Sequence, residues 1–173
     1  LKRIFAISGS LRTGSSNHAI LHFLGKMMPA DTRYFIYENL ARIPPFDPGN
    51  DHELPPDTVA DLRSFIKGAD GIIICTPEYA FGVPGQLKNG LDWTVSSGSF
   101  SGKPTALITA STGGQNAHEA LIKILGAIDA NLIKDAALLI PYIRSKMENG
   151  EVKDPETKES LLSLLDAFLT AIK

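Results

Sequence analysis

A chain of 173 residues and 18.6 kDa has the length of one domain and enough mass for a sizeable core. Its net charge of −2 and pI of about 6.1 give no basic field for nucleic acid or an anionic membrane surface, and no run approaches the roughly 20 apolar residues of a membrane helix. A lone cysteine, Cys75, excludes an intrachain disulfide and an all-cysteine zinc site and suits a reducing compartment. The expected setting is therefore cytoplasmic, and because the first residues enter a strand at once, no signal peptide is expected.

Apolar runs alternate with helical patterns along the chain, the signature of a parallel α/β sheet. Arg3–Ser8 is β-branched and aromatic and reads as the first strand. Ser16 to Met28 follows as a helix with Ile20, Leu21, Phe23 and Leu24 on its buried side. Thr32 to Glu38 favours a second strand through Tyr34, Phe35, Ile36 and Tyr37. Leu40 to Pro56 holds Pro44, Pro45, Pro48, Pro55 and Pro56 and no period, so it reads as a long surface loop, and loops of this length are often functional. A second helix starts at Asp57 and ends at Gly68-Ala69-Asp70-Gly71, with Val59, Leu62, Phe65 and Ile66 on one side. Ile72–Cys75 is apolar on both faces, as a central parallel strand must be. Pro84 to about Val95 forms the next helix, and Pro104 to Ala110 the fourth strand. Ala117 to Ala127 is helical, and Ala136 to Ile140 is the fifth strand. Tyr142 to Lys153 is polar with a tight turn at Asn149-Gly150, and a terminal helix starts at Pro155. The sum is a single domain over residues 1–173 with five strands and five helices.

Function is concentrated in the loops that follow strands. Ser8-Gly9-Ser10-Leu11-Arg12-Thr13-Gly14-Ser15-Ser16-Asn17 joins the first strand to a helix N-terminus. Glycines there allow a tight turn, the first helical turn has free N–H groups, and Ser10, Ser15, Ser16, Asn17 and Arg12 add hydroxyl, amide and guanidinium donors. Gly9 and Gly14 have the spacing of a nucleotide-triphosphate loop, but Ser15 stands where its lysine belongs, and Gly-x-Gly-x-x-Gly is absent. A terminal phosphate monoester fits better than a triphosphate or a dinucleotide pyrophosphate. Because ligands of doubly wound sheets sit beyond the carboxyl ends of the strands, the glycine-containing loops after strands one, three and four converge on one edge.

The loop after strand three reads Pro77-Glu78-Tyr79-Ala80-Phe81-Gly82-Val83-Pro84-Gly85-Gln86-Leu87-Lys88-Asn89-Gly90-Leu91-Asp92-Trp93. With Gly9-Ser10-Leu11-Arg12 and Ser15-Ser16-Asn17 it resembles the NADPH-dependent FMN reductase family, which includes azo, quinone and chromate reductases. That resemblance covers nearly the whole chain. It implies a flavodoxin-like three-layer sandwich with a five-stranded parallel sheet in the order 2-1-3-4-5, FMN as cofactor, and NADPH or NADH as hydride donor. It further implies that Ser10, Arg12, Ser15, Ser16 and Asn17 hold the FMN phosphate, that Pro77, Glu78 and Tyr79 line the ribityl chain and ring, and that Ser111, Gly113 and Gly114 border the far side of the flavin. A homodimer or homotetramer acting on a small-molecule electron acceptor is expected, with neither nucleic acid nor membrane as a partner. The family often has Asn after Pro-Glu-Tyr; Ala80-Phe81 here implies a more apolar mouth.

Hydride transfer between a nicotinamide and a flavin is a matter of positioning and polarising, so no catalytic acid, base or nucleophile is assigned. Glu78 reads more readily as a helix-flanking carboxylate than as a general acid, and Trp93 as packing or subunit interface. Lys88 and Asp92 have the spacing of an exposed helical pair. His18 and His22 share a helix face without the glutamate of a zinc-protease motif, so no metal is assigned. Cys75 reads as a buried strand residue with a redox role left open. A non-catalytic FMN electron carrier and a flavin-free phosphate-binding module are the alternative readings.

Overall fold

The computed structural model describes residues 1–172. Five parallel strands, β1 (Lys2–Ser8), β2 (Thr32–Tyr37), β3 (Gly71–Thr76), β4 (Pro104–Ala110) and β5 (Asn131–Ile140), form one sheet in the order β2-β1-β3-β4-β5. The helices are α1 (Ser16–Lys26), α2 (Asp57–Gly68), α3 (Gly85–Asp92), α4 (Gln115–Ala127) and α5 (Pro155–Ala171). Side chains of a strand alternate between faces, and this alternation sorts the core into two halves. Ile4, Ala6, Ile73, Cys75, Ala106 and Ile108 pack on α1 and α5 through Ile20, Leu24, Leu161, Leu165 and Phe168. Phe5, Ile7, Ile72, Ile74 and Leu107 pack on α2, α3 and α4 through Leu62, Ile66, Leu87, Leu91 and Leu121. A fully buried ring such as Phe168 contributes about 2–3 kcal/mol to this core. The three layers and the strand order are those the family resemblance implied.

Three differences from the sequence reading have local causes. β5 starts at Asn131 rather than Ala136: Asn131 and Leu132 pair with Pro104 and Thr105 before the register shifts between Thr105 and Leu107. The exposed Lys134 and Asp135 at that irregularity break the apolar run that would have announced the strand. The Asn149-Gly150 turn closes a small antiparallel hairpin, β6 (Met147–Glu148) and β7 (Glu151–Val152), with φ of 51° and 77° at the two turn residues. Finally, the proline-rich stretch is not shapeless, for it carries 3-10 turns at Leu40–Arg42 and Pro48–Asn50.

The topology also fixes where a ligand can sit. From β1 the chain goes to β2 on one side, and β3 lies on the other side of β1. The loops that leave β1 and β3 therefore part, and the crevice between them lies at the carboxyl edge of the sheet.

Candidate flavin site

Serine side chains shape the loop after β1. Ser8 Oγ donates to the Ser10 carbonyl (3.0 Å) and accepts from the Ser10 N–H (3.2 Å), and Ser10 Oγ accepts from the Arg12 N–H (3.3 Å). Ser15 caps α1, its Oγ accepting from the His18 N–H at 3.2 Å. That leaves the Ser16 and Asn17 N–H groups, in the first turn, without an intrahelical acceptor. Arg12 is exposed, and its guanidinium makes no ion pair among the described residues. Ser10, Thr13, Gly14 and Ser15 border a cavity of about 520 Å³ that runs along α1 past His18 and His22 toward Glu38 at the end of β2. The two histidines are thus cavity wall, and among the described residues no group of three or more His, Cys, Asp or Glu side chains could hold a metal.

Two residues of this loop have roles other than those expected of them. Gly9 is required by the protein itself: a Cβ there would lie 2.1 Å from Thr76 Oγ1, and the Gly9 N–H donates to the Cys75 carbonyl at 2.8 Å. The Asn17 side chain turns into the sheet, where its amide donates to the Ala110 carbonyl and accepts from the Cys75 thiol, both at 3.3 Å. It ties α1 to β3 and β4, so its backbone N–H is the group it offers to the loop. Cys75 is fully buried, and burial pushes its thiol pKa well up; a thiol so placed is inert.

The loop after β3 is fastened to the one after β4. Glu78 Oε1 accepts from the Gly114 N–H (3.3 Å) and Oε2 from the Ala117 N–H (2.8 Å), so this carboxylate caps α4 from outside the helix. Ser111 Oγ accepts from the Glu78 N–H at 3.1 Å and lies 3.4 Å from the Glu78 carbonyl, which it reaches as a donor. Glu78 and Ser111 therefore set the relative position of two loops. Gly114 has a φ of 107°, and a Cβ there would meet Leu139 Cδ1 at 2.9 Å. Gly113, beside it, is exposed. The segment after β5, which the sequence left as a polar stretch, supports this loop: Tyr142 and Ile143 donate from their backbones to the Thr112 and Ser111 carbonyls at 3.1 Å each. Nearby, Thr109 Oγ1 is 2.8 Å from His118 Nδ1, and burial holds the His118 pKa below its ordinary value against the opposing pull of Glu119.

Pro77 is buried and Tyr79 half exposed, its hydroxyl in a long contact of 3.5 Å with Ser10 Oγ across the crevice. Beyond it the chain closes a two-residue hairpin: Tyr79 and Gly82 exchange backbone hydrogen bonds of 3.0 and 2.9 Å. Both central residues, Ala80 (φ 49°) and Phe81 (φ 57°), adopt the left-handed conformation, and neither is a glycine or an asparagine. This turn was not legible in the sequence, whose usual signal for it is Asn-Gly.

The rest of the motif faces away from the crevice. Gln86 donates to the Leu40 and Ile43 carbonyls (2.7 and 2.9 Å), and the Asn89 amide donates to Pro44 (2.9 Å) and accepts from the Phe46 N–H (2.7 Å). Trp93, fully buried, donates from Nε1 to the Pro44 carbonyl at 2.8 Å and meets Phe46 edge to face at 5.1 Å. Trp93 is packing, and Lys88 pairs with Asp92 at 2.6 Å.

A doubly wound sheet whose β1 loop presents hydroxyls, helix N–H groups without intrahelical acceptors and an unpaired guanidinium, with Tyr79 across the crevice, has the architecture of the mononucleotide-binding α/β proteins. Comparison with known proteins narrows this. Residues 2–144 match the profile of the NADPH-dependent FMN reductases, and the chain belongs to that family. It is 34% identical over 174 residues to a quinone reductase of Escherichia coli K12, covering 96% of this chain and 93% of that protein. It is 29% identical to an NADPH azoreductase of a Bacillus species, covering 99% and 94%. Among solved structures it superposes on FerB, a flavoenzyme NAD(P)H:acceptor oxidoreductase of Paracoccus denitrificans, with a TM-score of 0.86 and 26% identity over 99% of this chain and 97% of that one. The protein is an NAD(P)H-dependent flavin oxidoreductase with FMN as its cofactor.

Proposed function

We propose that this enzyme reduces planar organic acceptors, quinones first among them, at a site formed by the loops after β1, β3 and β4. The overall reaction is NAD(P)H + H⁺ + quinone → NAD(P)⁺ + hydroquinone, which balances two electrons and two protons. FMN, when bound, supplies the step between the two-electron donor and the acceptor. The chain's own residues bind and orient. Arg12, the Ser10, Ser15 and Ser16 hydroxyls and the Ser16 and Asn17 N–H groups take the phosphate; charge-assisted hydrogen bonds of this kind contribute about 1.5–3 kcal/mol each. Pro77, Glu78 and Tyr79 line the ribityl chain and one edge of the ring, and Ser111, Gly113 and Gly114 the other, the two loops being held in register by Glu78. Glu78 has both carboxylate oxygens engaged by backbone N–H groups, which suits a fixed strut and not a proton carrier.

The observation that carries the reading is the pair of exposed aromatic residues on the loop after β3, Tyr79, whose hydroxyl is 3.5 Å from Ser10 Oγ, and Phe81, with no charged side chain from Tyr79 to Gln86. With Arg12 assigned to the FMN phosphate, this stretch itself gives a small oxyanion no counter-charge, whereas a flat ring has a surface to lie on. The quinone reductases among the chain's relatives support the same choice. A homo-oligomer and a cytoplasmic setting accompany the reading. Its test is an anaerobic titration of the FMN-loaded protein with NADPH, followed at the flavin absorption band. The expected result is rapid bleaching that a quinone reverses; tight FMN binding without bleaching would contradict it.

A further inference from the structure

Phe81 is the anomaly of the loop after β3. The residue is 82% exposed, the most open of the aromatic residues, and it sits on a backbone that L-residues avoid. The residue before it shares that conformation, so the turn carries the strain twice. Asparagine or glycine at either position would relieve it. A bulky apolar residue gains nothing here from core packing, since the ring lies outside both core clusters. Strain of this kind persists where the surroundings over-determine it, and it gathers at functional sites. The surroundings do so here: paired backbone hydrogen bonds between Tyr79 and Gly82 clamp the turn, and Pro77 and Pro84 stiffen its two ends.

We infer that Phe81 is a specificity-determining contact, a fixed post on which the ring of a planar acceptor lies while it faces the flavin. This rests on the proposed reading that the acceptors are planar organic molecules and adds a named residue to it. A post already held in place loses little freedom when the acceptor arrives, so its apolar surface translates into affinity. Charge works in the same direction. The nearest ionised group in the sequence, Glu78, is negative and committed to α4, so the turn draws flat apolar molecules and not inorganic anions.

The test uses two variants of the same turn. Phe81→Gly removes both the ring and its share of the strain, whereas Ala80→Gly relieves strain and keeps the ring. Both should raise Tm by about 2–4 °C, so misfolding is not the expected outcome. Only Phe81→Gly should weaken the binding of 2-naphthol, a planar ring that accepts no hydride, to the oxidised FMN-loaded protein, and raise KM for naphthoquinone, each about three- to ten-fold. In Ala80→Gly, which keeps the ring, the rate of flavin bleaching by NADPH and the KM for ferricyanide should match the parent. Naphthoquinone KM and naphthol affinity unmoved in Phe81→Gly, or moved equally in Ala80→Gly, would overturn the assignment. So would a change in oligomeric mass by light scattering in Phe81→Gly, which would place the ring in a contact between copies. Failure of the parent chain to bind or reduce FMN would instead sink the flavoenzyme reading itself, an outcome separable from all of these.

Discussion

The stretches 40–56 and 77–84 are both aperiodic and rich in proline, yet their chemistry runs in opposite directions. In the longer one nearly every turn is pegged to the body of the protein: Gln86, Asn89 and Trp93 hold Leu40, Ile43, Pro44 and Phe46. Its far end is held by Asp51, which accepts from Arg63 and from Ser96, both at 2.6 Å, while Arg63 also bonds the Trp93 carbonyl. The shorter stretch is fastened at its base by Glu78 and at its turn only to itself, and beyond that it presents Tyr79 and Phe81 to solvent. Length alone would have given function to the first. What separates them is where polar groups and apolar rings find their partners: inside the protein for one, outside it for the other.

The largest expected effect breaks the longer loop. Trp93→Ala removes a buried indole and the Pro44 hydrogen bond and should cost about 3–5 kcal/mol by urea denaturation, with the FMN affinity of the folded protein unchanged. A parallel loss of FMN affinity would mean that stretch 40–56 belongs to the site after all.

A smaller effect is set by pH. Burial pushes the Asp51 carboxyl up, but the hydrogen bonds from Ser96 and Arg63 and the Arg63 charge outweigh it and leave the group below its ordinary value. A carboxylate lowered in the folded state stabilises above the ordinary range and loses that contribution as pH falls through its folded value. Asp51→Asn should therefore cost about 1–2 kcal/mol at neutral pH, and the gap to the parent should close as pH falls below about 4. Denaturation curves at several pH values check this; a gap that persists into acid would remove the ionised carboxylate from the account.

The comparison also shows what could be read from residues alone. Strand order and layers followed from the family resemblance, and the strand–loop–helix anion site from Gly, Ser and Arg at the end of a β-branched run. The partners of the side chains did not. Asn17 looks like a phosphate donor because it stands at a helix N-terminus, and only the packing of α1 against β3 and β4 turns its amide into the sheet. Gly9 looks like a ligand-approach glycine, and only the Thr76 hydroxyl beside it shows that the fold itself also demands a glycine there. The left-handed turn at Ala80-Phe81 carries no residue that prefers it, so no local signal announced it.

One FMN titration, read by flavin fluorescence, tests the division most directly. The parent, an Arg12→Ala/Ser16→Ala double variant and an Asn89→Ala variant are compared under conditions where all three are folded. The double variant should bind FMN more weakly by at least about a hundredfold, since two phosphate contacts are gone, while Asn89→Ala should match the parent. Equal affinity in the double variant, or a loss confined to Asn89→Ala, would contradict the placement of the flavin on the β1 loop.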